Sequence, residues 1–134
     1  VVMDVAVDDF GTISLKRATI AADAGQIVDP DGLTSQLEGG LIQSASWTLK
    51  EQVVFDPDGV TSRDWETYPI LSFSEVPQVE TILIDQPGFP YLGAGEATQG
   101  PTVAAIANAV YNAIGIRLRK IPFTPEQVRE AAAG

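Results

Sequence analysis

Apolar residues recur at two spacings in the first third of the chain, which predict a hairpin and then a helix. Alternation with a period of two runs from Val1 to Val7, resumes at Thr12 after the turn residues 8–11, and continues to Ala22. The pair Asp29-Pro30 is a good helix entry, because aspartate caps free amides and proline at the first helical position loses no hydrogen bond. A spacing of four then marks one helical face at Leu33, Leu37, Leu41, Ala45 and Leu49.

The rest of the chain adds shorter elements. Residues 51–55 are expected to form a strand that turns at 56–59 into a partner from Val60, and the segment to Pro77 is expected to be an extended excursion. Val79 to Ile84 is apolar on both sides and is predicted to be a central strand. The last elements expected are a helix from Pro101 capped at Gly115, an edge strand at Arg117–Lys120, and a helix to Ala133 after the capping box Thr124–Gln127. The predicted fold class is α+β: a mixed sheet with hairpins packed against two main helices and a short C-terminal helix, with residues 1–134 as a single unit.

Both main helices show signs of close neighbours. The helix after Pro101 carries little charge on any face, so we expect it to be buried on more than one side. The first helix contains Gly39-Gly40, and each mid-helix glycine costs about 0.8 to 1 kcal/mol relative to alanine. We therefore expect a backbone, another helix or a ligand to come close there, with tight helix packing as the alternative to a ligand.

Composition excludes several classes of function. The 18 acidic and 8 basic residues give a net charge of -10, which disfavours nucleic acid and anionic membrane surfaces as partners. The chain has no cysteine and no histidine, so disulfides, ordinary zinc sites and imidazole-dependent triads are excluded and any chemistry must rest on carboxylates. A transition metal would need an organic cofactor to hold it. No apolar run is long enough for a membrane span, so we expect no membrane insertion.

One carboxylate lies in a loop of glycines and small residues. Glu96 follows Gly93-Ala94-Gly95, whose glycines reach unusual dihedrals and admit close neighbours. Without a lysine this loop is a poor phosphate cradle, whereas a partly buried carboxylate suits a general base. The alternative is a glutamate that complements a helix N-terminus. A carboxylate-only hydrolase using Asp23, Glu38 and Glu96 is a weaker hypothesis, because nothing in the sequence sets their separation.

Three motifs occur in a specific order: AADAGQIVDPDG at 21–32, LEGGLIQS at 37–44, and GAGE at 93–96. Together with the apolar helix 101–114 and the RKIPF segment at 119–123, they resemble the C-terminal part of the molybdopterin-binding large subunit of the xanthine dehydrogenase and aldehyde oxidase family. Within that family the resemblance is strongest to the bacterial isoquinoline 1-oxidoreductase-like branch. It covers nearly the whole chain.

The resemblance implies roles for two residues. Glu96 falls on the glutamate that serves the family as the base, deprotonating a hydroxyl on molybdenum before a water-derived oxygen reaches the C-H carbon of an aldehyde or N-heterocycle. Gln43 matches a cofactor-binding position close to the pterin. The implied cofactor is a molybdenum-pterin group, which in the bacterial branch often has the cytosine dinucleotide form. Its metal is held by the pterin, which fits a chain without histidine or cysteine.

The resemblance also implies missing partners. The family's large subunit is several times longer, so the expected partners are the remainder of that subunit, an iron-sulfur electron-transfer subunit and a small-molecule substrate. We expect the isolated chain, a piece of a longer one or a processed subunit, to be inactive, to hold no cofactor and to self-associate through uncovered apolar surface. A cytoplasmic or periplasmic location is implied. The alternatives are a separately encoded subunit of a split enzyme and a non-catalytic binding or assembly subunit without the cofactor.

Overall fold

A computed structural model describes residues 1–134, and a mixed three-stranded sheet forms its centre. In the sheet β1 (Val2–Val7) pairs antiparallel with β2 (Ile13–Asp23), which pairs parallel with β5 (Gln78–Ile84). The predicted hairpin and the α+β class are therefore confirmed. The elements in chain order are β1 (Val2–Val7), β2 (Ile13–Asp23), α1 (Pro30–Leu49), β3 (Phe55–Asp56), β4 (Gly59–Val60), a 3₁₀ turn (Phe73–Glu75), β5 (Gln78–Ile84), α2 (Gln99–Ile114) and α3 (Pro125–Ala133).

Helix α1 begins at the predicted residues and buries the predicted face. The Asp29 carboxylate accepts a hydrogen bond from Gly32 N at 3.0 Å, and Pro30 is the first helical residue. Helices α1 and α2 pack on each other and against the sheet, α1 on β5 and α2 on β1. The core between these layers contains Met3, Leu15, Ala18, Ile20, Leu37, Leu41, Ala45, Leu49, Ile106, Val110, Leu118, Phe123 and Val128.

Helix α2 begins earlier and is less buried than predicted. It starts at Gln99 rather than Pro101, and ends as expected at Gly115, whose φ of 72° is left-handed. Its buried residues lie on one face, because no further layer of this chain covers the other side. They are Thr102, Ile106 and Val110. The last helix follows its predicted cap, where Thr124 Oγ1 accepts a hydrogen bond from Gln127 N at 3.3 Å.

The predicted central strand is wrong, because β5 forms an edge of the sheet with β2 as its one neighbour. Its outward side chains Glu80, Ile82 and Ile84 are exposed. These apolar outward residues suggested burial on both faces, but nothing in this chain covers them. Residues 51–54 form no strand either. Only the short pair β3–β4 forms across the predicted turn.

The basic segment 117–120 is irregular, so the predicted edge strand is also wrong. Arg117 donates a hydrogen bond to Asn108 Oδ1 at 2.7 Å, and its guanidinium lies 4.0 Å from the centre of the Tyr111 ring. Leu118 is buried in the core. Side-chain contacts with α2, rather than strand pairing, therefore fix this segment.

Residues 53–73, called the arm below, extend from the end of α1 and expose much apolar surface, as expected for the excursion between two elements. None of the helices is long and apolar enough to cross a membrane. The exposed large apolar side chains of the arm are Val53, Val54, Phe55, Val60, Trp65, Ile70 and Phe73.

Candidate functional site

Glu96 lies in an exposed turn directly ahead of α2. Gln99 N donates to Glu96 O at 3.2 Å and closes the turn. The expected partial burial of the carboxylate is not provided by these residues, because residues 95–97 are exposed and an added Cβ at Gly93 or Gly95 would meet no atom within 4 Å. Neither glycine has a positive φ, so the expectation of unusual dihedrals is wrong. That another molecule comes close to Gly93 and Gly95 stays a prediction.

Backbone contacts with the β2–α1 linker hold the start of this loop. Leu92 N donates to Ala24 O at 2.9 Å, and Gln86 N donates to Gly25 O at 3.1 Å. Gly25 has a φ of 75°, and an added Cβ would lie 2.0 Å from Pro90 O. Only glycine fits there, which explains its place in the first family motif.

Side chains strengthen the same contact. The Asp23 carboxylate accepts hydrogen bonds from Gly25 N at 3.0 Å and from Gln86 Nε2 at 3.1 Å. These bonds, chiefly the one from Gly25, lower the pKa of Asp23 below its ordinary value. Asp85 in turn accepts a hydrogen bond from Ile27 N at 2.9 Å. Aspartates therefore join the two loops as acceptors, which removes Asp23 from the carboxylates free for proton transfer.

Thr98 holds the end of the loop against α1. Its hydroxyl donates to Leu37 O at 2.8 Å, and it can do so because the helix has no side chain at Gly40. A Cβ at Gly40 would lie 2.6 Å from Thr98 Oγ1. A second bond runs from Ser44 Oγ to Gln99 O at 2.7 Å. At Gly40 tight helix packing is therefore the reason for glycine, whereas at Gly39 a Cβ would meet nothing within 4 Å.

The structure brings Gln43 to the same end of α2 as Glu96. Gln43 Oε1 accepts a hydrogen bond from Gln99 Nε2 at 3.0 Å, and Gln99 also binds the Glu96 backbone. The Gln43 amide nitrogen has no hydrogen-bond partner in the chain, so its two N-H donors remain available to a ligand. Gly39 precedes it by one helical turn and leaves the adjacent surface open.

A cleft of about 300 Å³ opens between the first turns of α1 and residues 91–95. Its lining includes Ile27, Leu33, Gln36, Tyr91, Leu92 and Gly95. Another cleft, of about 390 Å³, lies at the opposite end of α1, beside Leu49 and Phe123, and contains none of the predicted site residues. The smaller cleft is thus the one that belongs to the Glu96 loop.

The charges around the loop suit a neutral ligand edge better than a phosphate. The sequence has no lysine or arginine between residues 18 and 49 or between 64 and 116. No group of three or more carboxylates could hold a metal ion. Glu38 accepts a hydrogen bond from Thr81 Oγ1 at 3.2 Å, and Asp23 accepts two hydrogen bonds of its own. Asp23, Glu38 and Glu96 therefore do not act as one catalytic set. The free Gln43 N-H donors and the open surface at Gly39 fit the hydrogen-bond acceptor atoms at the edge of a pterin.

Sequence reasoning missed Gly25 and Thr98. A signal for Gly25 was its place between the strand and the helix cap, where a turn with a positive φ is common. Thr98 gave no signal of its own, because a threonine two residues after Glu96 resembles an ordinary helix cap. Its contact with Leu37 joins residues 61 positions apart.

Comparison with known proteins identifies relatives that match nearly the whole chain. A subunit of nicotinate dehydrogenase from Pseudomonas putida is 45% identical over 134 residues, which cover 99% of this chain and 11% of that protein. The beta subunit of isoquinoline 1-oxidoreductase from Brevundimonas diminuta is 33% identical over 125 residues, which cover 92% of this chain and 16% of that protein. The chain therefore spans a small part of the length of these relatives.

Solved structures show the same fold. The crystal structure of quinoline 2-oxidoreductase from Pseudomonas putida 86 matches 96% of this chain and 18% of its own, with a TM-score of 0.87 and 23% identity. The family model described as the molybdopterin cofactor-binding domain matches residues 1–77, more than half of the chain. This match confirms the resemblance to molybdopterin-binding subunits of the xanthine dehydrogenase family, and the chain belongs to the molybdopterin cofactor-binding domain family.

Proposed function

We propose that this chain is the C-terminal segment of a molybdenum hydroxylase large subunit and that Glu96 is its general base. The proposed reaction oxidises a C-H bond of an aldehyde or N-heterocycle and inserts an oxygen derived from water. The observation that carries the proposal is the exposed Glu96 carboxylate, free of any hydrogen bond or ion pair, at the end of α2 where Gln99 binds both the Glu96 backbone and the Gln43 side chain.

The residues of this chain divide the work between proton transfer and binding. When bound, a molybdenum-pterin group would supply the oxidising centre that takes two electrons from the substrate. Glu96 would accept the proton released from the attacking oxygen, and none of the salt bridges of the chain involves its carboxylate. Gln43 would donate its free N-H groups to the pterin, and Gln99 would hold Gln43 in place.

Other segments must complete the proposed site. Glu96 is exposed in this chain, and a base needs exclusion of water, so we propose that the remainder of the large subunit covers it. An iron-sulfur subunit is proposed as the electron acceptor, since this chain has no cysteine to hold a cluster. The cytosine dinucleotide form of the cofactor is proposed from the family resemblance, and its phosphates would need cations from those other segments.

Metal and pterin content tests this proposal. The chain is purified alone and together with the remainder of its large subunit, and molybdenum and pterin are expected in the joint preparation alone. In that preparation Glu96→Gln should keep the cofactor and lower turnover about 100 to 10,000-fold, the contribution of a well-placed base. Gln43→Ala should lower cofactor content instead, because it removes a binding contact and leaves the base intact.

Two results would contradict the proposal. Turnover retained in Glu96→Gln would remove Glu96 from the role of base. A well-folded joint preparation without molybdenum and pterin would favour the alternative, a binding or assembly subunit that keeps the fold without the cofactor. Glu96 would then be a charge at the N-terminus of α2.

A further inference from the structure

Thr98 occupies the cap position of α2 but does not cap it. A threonine at this position ordinarily accepts a hydrogen bond from a free amide two or three residues later. Thr98 instead has φ −92° and ψ −11°, and its side chain makes no cap hydrogen bond. Its hydroxyl is directed to a carbonyl of another helix, Leu37 O, at 2.8 Å. The cap contribution, typically about 1 kcal/mol, is given up for a contact between helices.

The hydroxyl and the carbonyl of Thr98 both fix its position. Its carbonyl accepts hydrogen bonds from Thr102 N at 3.0 Å and from Thr102 Oγ1 at 2.7 Å. Its side chain fills the gap above Gly40 and is 2% exposed. The seven residues before it are exposed or half-buried. Thr98 is therefore the buried point on which the Glu96 side of the loop depends.

We propose that Thr98 is a positioning residue for Glu96, acting through its hydrogen bond to Leu37 above Gly40. This inference rests on the proposed function of Glu96. The turn closed by Gln99 N and Glu96 O places the carboxylate two residues from Thr98 and fixes its backbone to the same helix end. A shift of Thr98 moves this turn as a unit. A displacement of about 1 Å at a reacting group can cost about 100-fold in rate.

The test compares two buried threonines in the cofactor-loaded holoenzyme. Thr98→Val removes the hydroxyl and keeps the shape, and Thr98→Ser keeps the donor. Thr48→Val is the matched control, because Thr48 is equally buried and its hydroxyl donates to Ser44 O at 2.6 Å within α1 itself. We expect Thr98→Val to lower kcat about 10 to 100-fold with little change in KM, Thr98→Ser to restore most of it, and Thr48→Val to keep it.

Hydrogen exchange gives a readout independent of turnover. The amides of Gln99 and Thr102, which donate to Glu96 O and Thr98 O, should exchange faster in Thr98→Val and at the native rate in Thr48→Val, since only the first substitution releases the loop. If Thr98→Val fails to fold, Gly40→Ala replaces it, because the added Cβ displaces the Thr98 hydroxyl from the other side. It should likewise lower kcat and speed exchange of the Gln99 and Thr102 amides.

The outcomes separate this inference from the proposed function. Loss of turnover in Glu96→Gln together with equal kcat and equal exchange in Thr98→Val and Thr48→Val would overturn the positioning role and leave the base in place. Turnover retained in Glu96→Gln would overturn both. Faster exchange with a selective loss of kcat in Thr98→Val supports the inference.

Discussion

The two adjacent glycines of α1 should respond in opposite directions to the same substitution. At Gly39 an added Cβ meets no atom within 4 Å, whereas at Gly40 it lies 2.6 Å from Thr98 Oγ1. Thr98 is β-branched and buried, so its hydroxyl moves away only by breaking the bond to Leu37 O. Gly39→Ala is therefore expected to stabilise the chain and Gly40→Ala to destabilise it.

The magnitudes follow from these contacts. Gly39→Ala gains the helix-propensity difference of about 0.8 to 1 kcal/mol, which raises Tm by about 3 to 4 °C in a chain of this size. Gly40→Ala gains the same amount but meets overpacking of about 1 to 3 kcal/mol and the loss of a hydrogen bond worth about 0.5 to 1.5 kcal/mol. The net effect is a loss of about 0.5 to 3.7 kcal/mol.

Thermal unfolding of the wild-type chain and both variants, followed by circular dichroism, measures this difference. Equal stabilisation of both variants would refute the packing account, because it would mean that Thr98 does not occupy the space above Gly40. The larger Gly40→Val should lower folding yield or, in the complete enzyme, cofactor occupancy. An unaffected protein would show that the glycine at this position is incidental.

Two further predictions concern other parts of the chain. The bonds from Lys50 Nζ and the Ser72 hydroxyl lower the pKa of Glu75 from 4.5 to about 2. The lowered pKa means that the ionised carboxylate stabilises the folded state above pH 4.5, and this stabilisation is lost as the pH falls toward 2. Because the Glu75 side chain is 39% exposed, solvent screening limits the loss of folding stability in Glu75→Gln at pH 7 to about 1 kcal/mol. Thermal melts at decreasing pH should show the Tm difference between Glu75→Gln and wild type narrowing below pH 4.5. A Tm difference that stays constant would contradict this cause. Replacing Phe55, Trp65 and Phe73 of the arm by serine should shift the chain from self-associated species toward a 14.2 kDa monomer in sedimentation experiments. The Tm should not change, since these rings are exposed. Persistent association would place the contact elsewhere, and the exposed face of β5 would be the next surface to substitute.

Local signals in the sequence predicted the elements whose causes are local. The cap at Asp29, the four-residue spacing of α1, the turn at 8–11 and the cap at Thr124 each depend on residues within a few positions, and each appears in the structure. The predicted strand at 117–120 failed because strand formation needs a neighbour, which alternation alone does not reveal. The central placement of β5 failed for the same reason.

The sequence predicted which residues belong to the candidate site but not the contacts that hold them in place. Glu96 was singled out by its loop of glycines and small residues and Gln43 by a family motif, and their roles stay predictions. Their placement at one end of α2 depends on long-range pairings that no local pattern encodes, such as the bond from Thr98 to Leu37, 61 residues away. The expected burial of Glu96 also could not follow from the loop itself, because burial depends on what packs over it.

The parallel pairing of β2 with β5 has a consequence for how the chain can be divided. The hairpin and α1 can form early during synthesis, but the edge of β2 stays unpaired until residues 78–84 have been made. A truncation at residue 77, where the family match ends, would remove both β5 and α2 and leave a bare strand edge beside an uncovered helix. Such a product should aggregate, so the boundary of the sequence family is not a boundary at which the polypeptide folds.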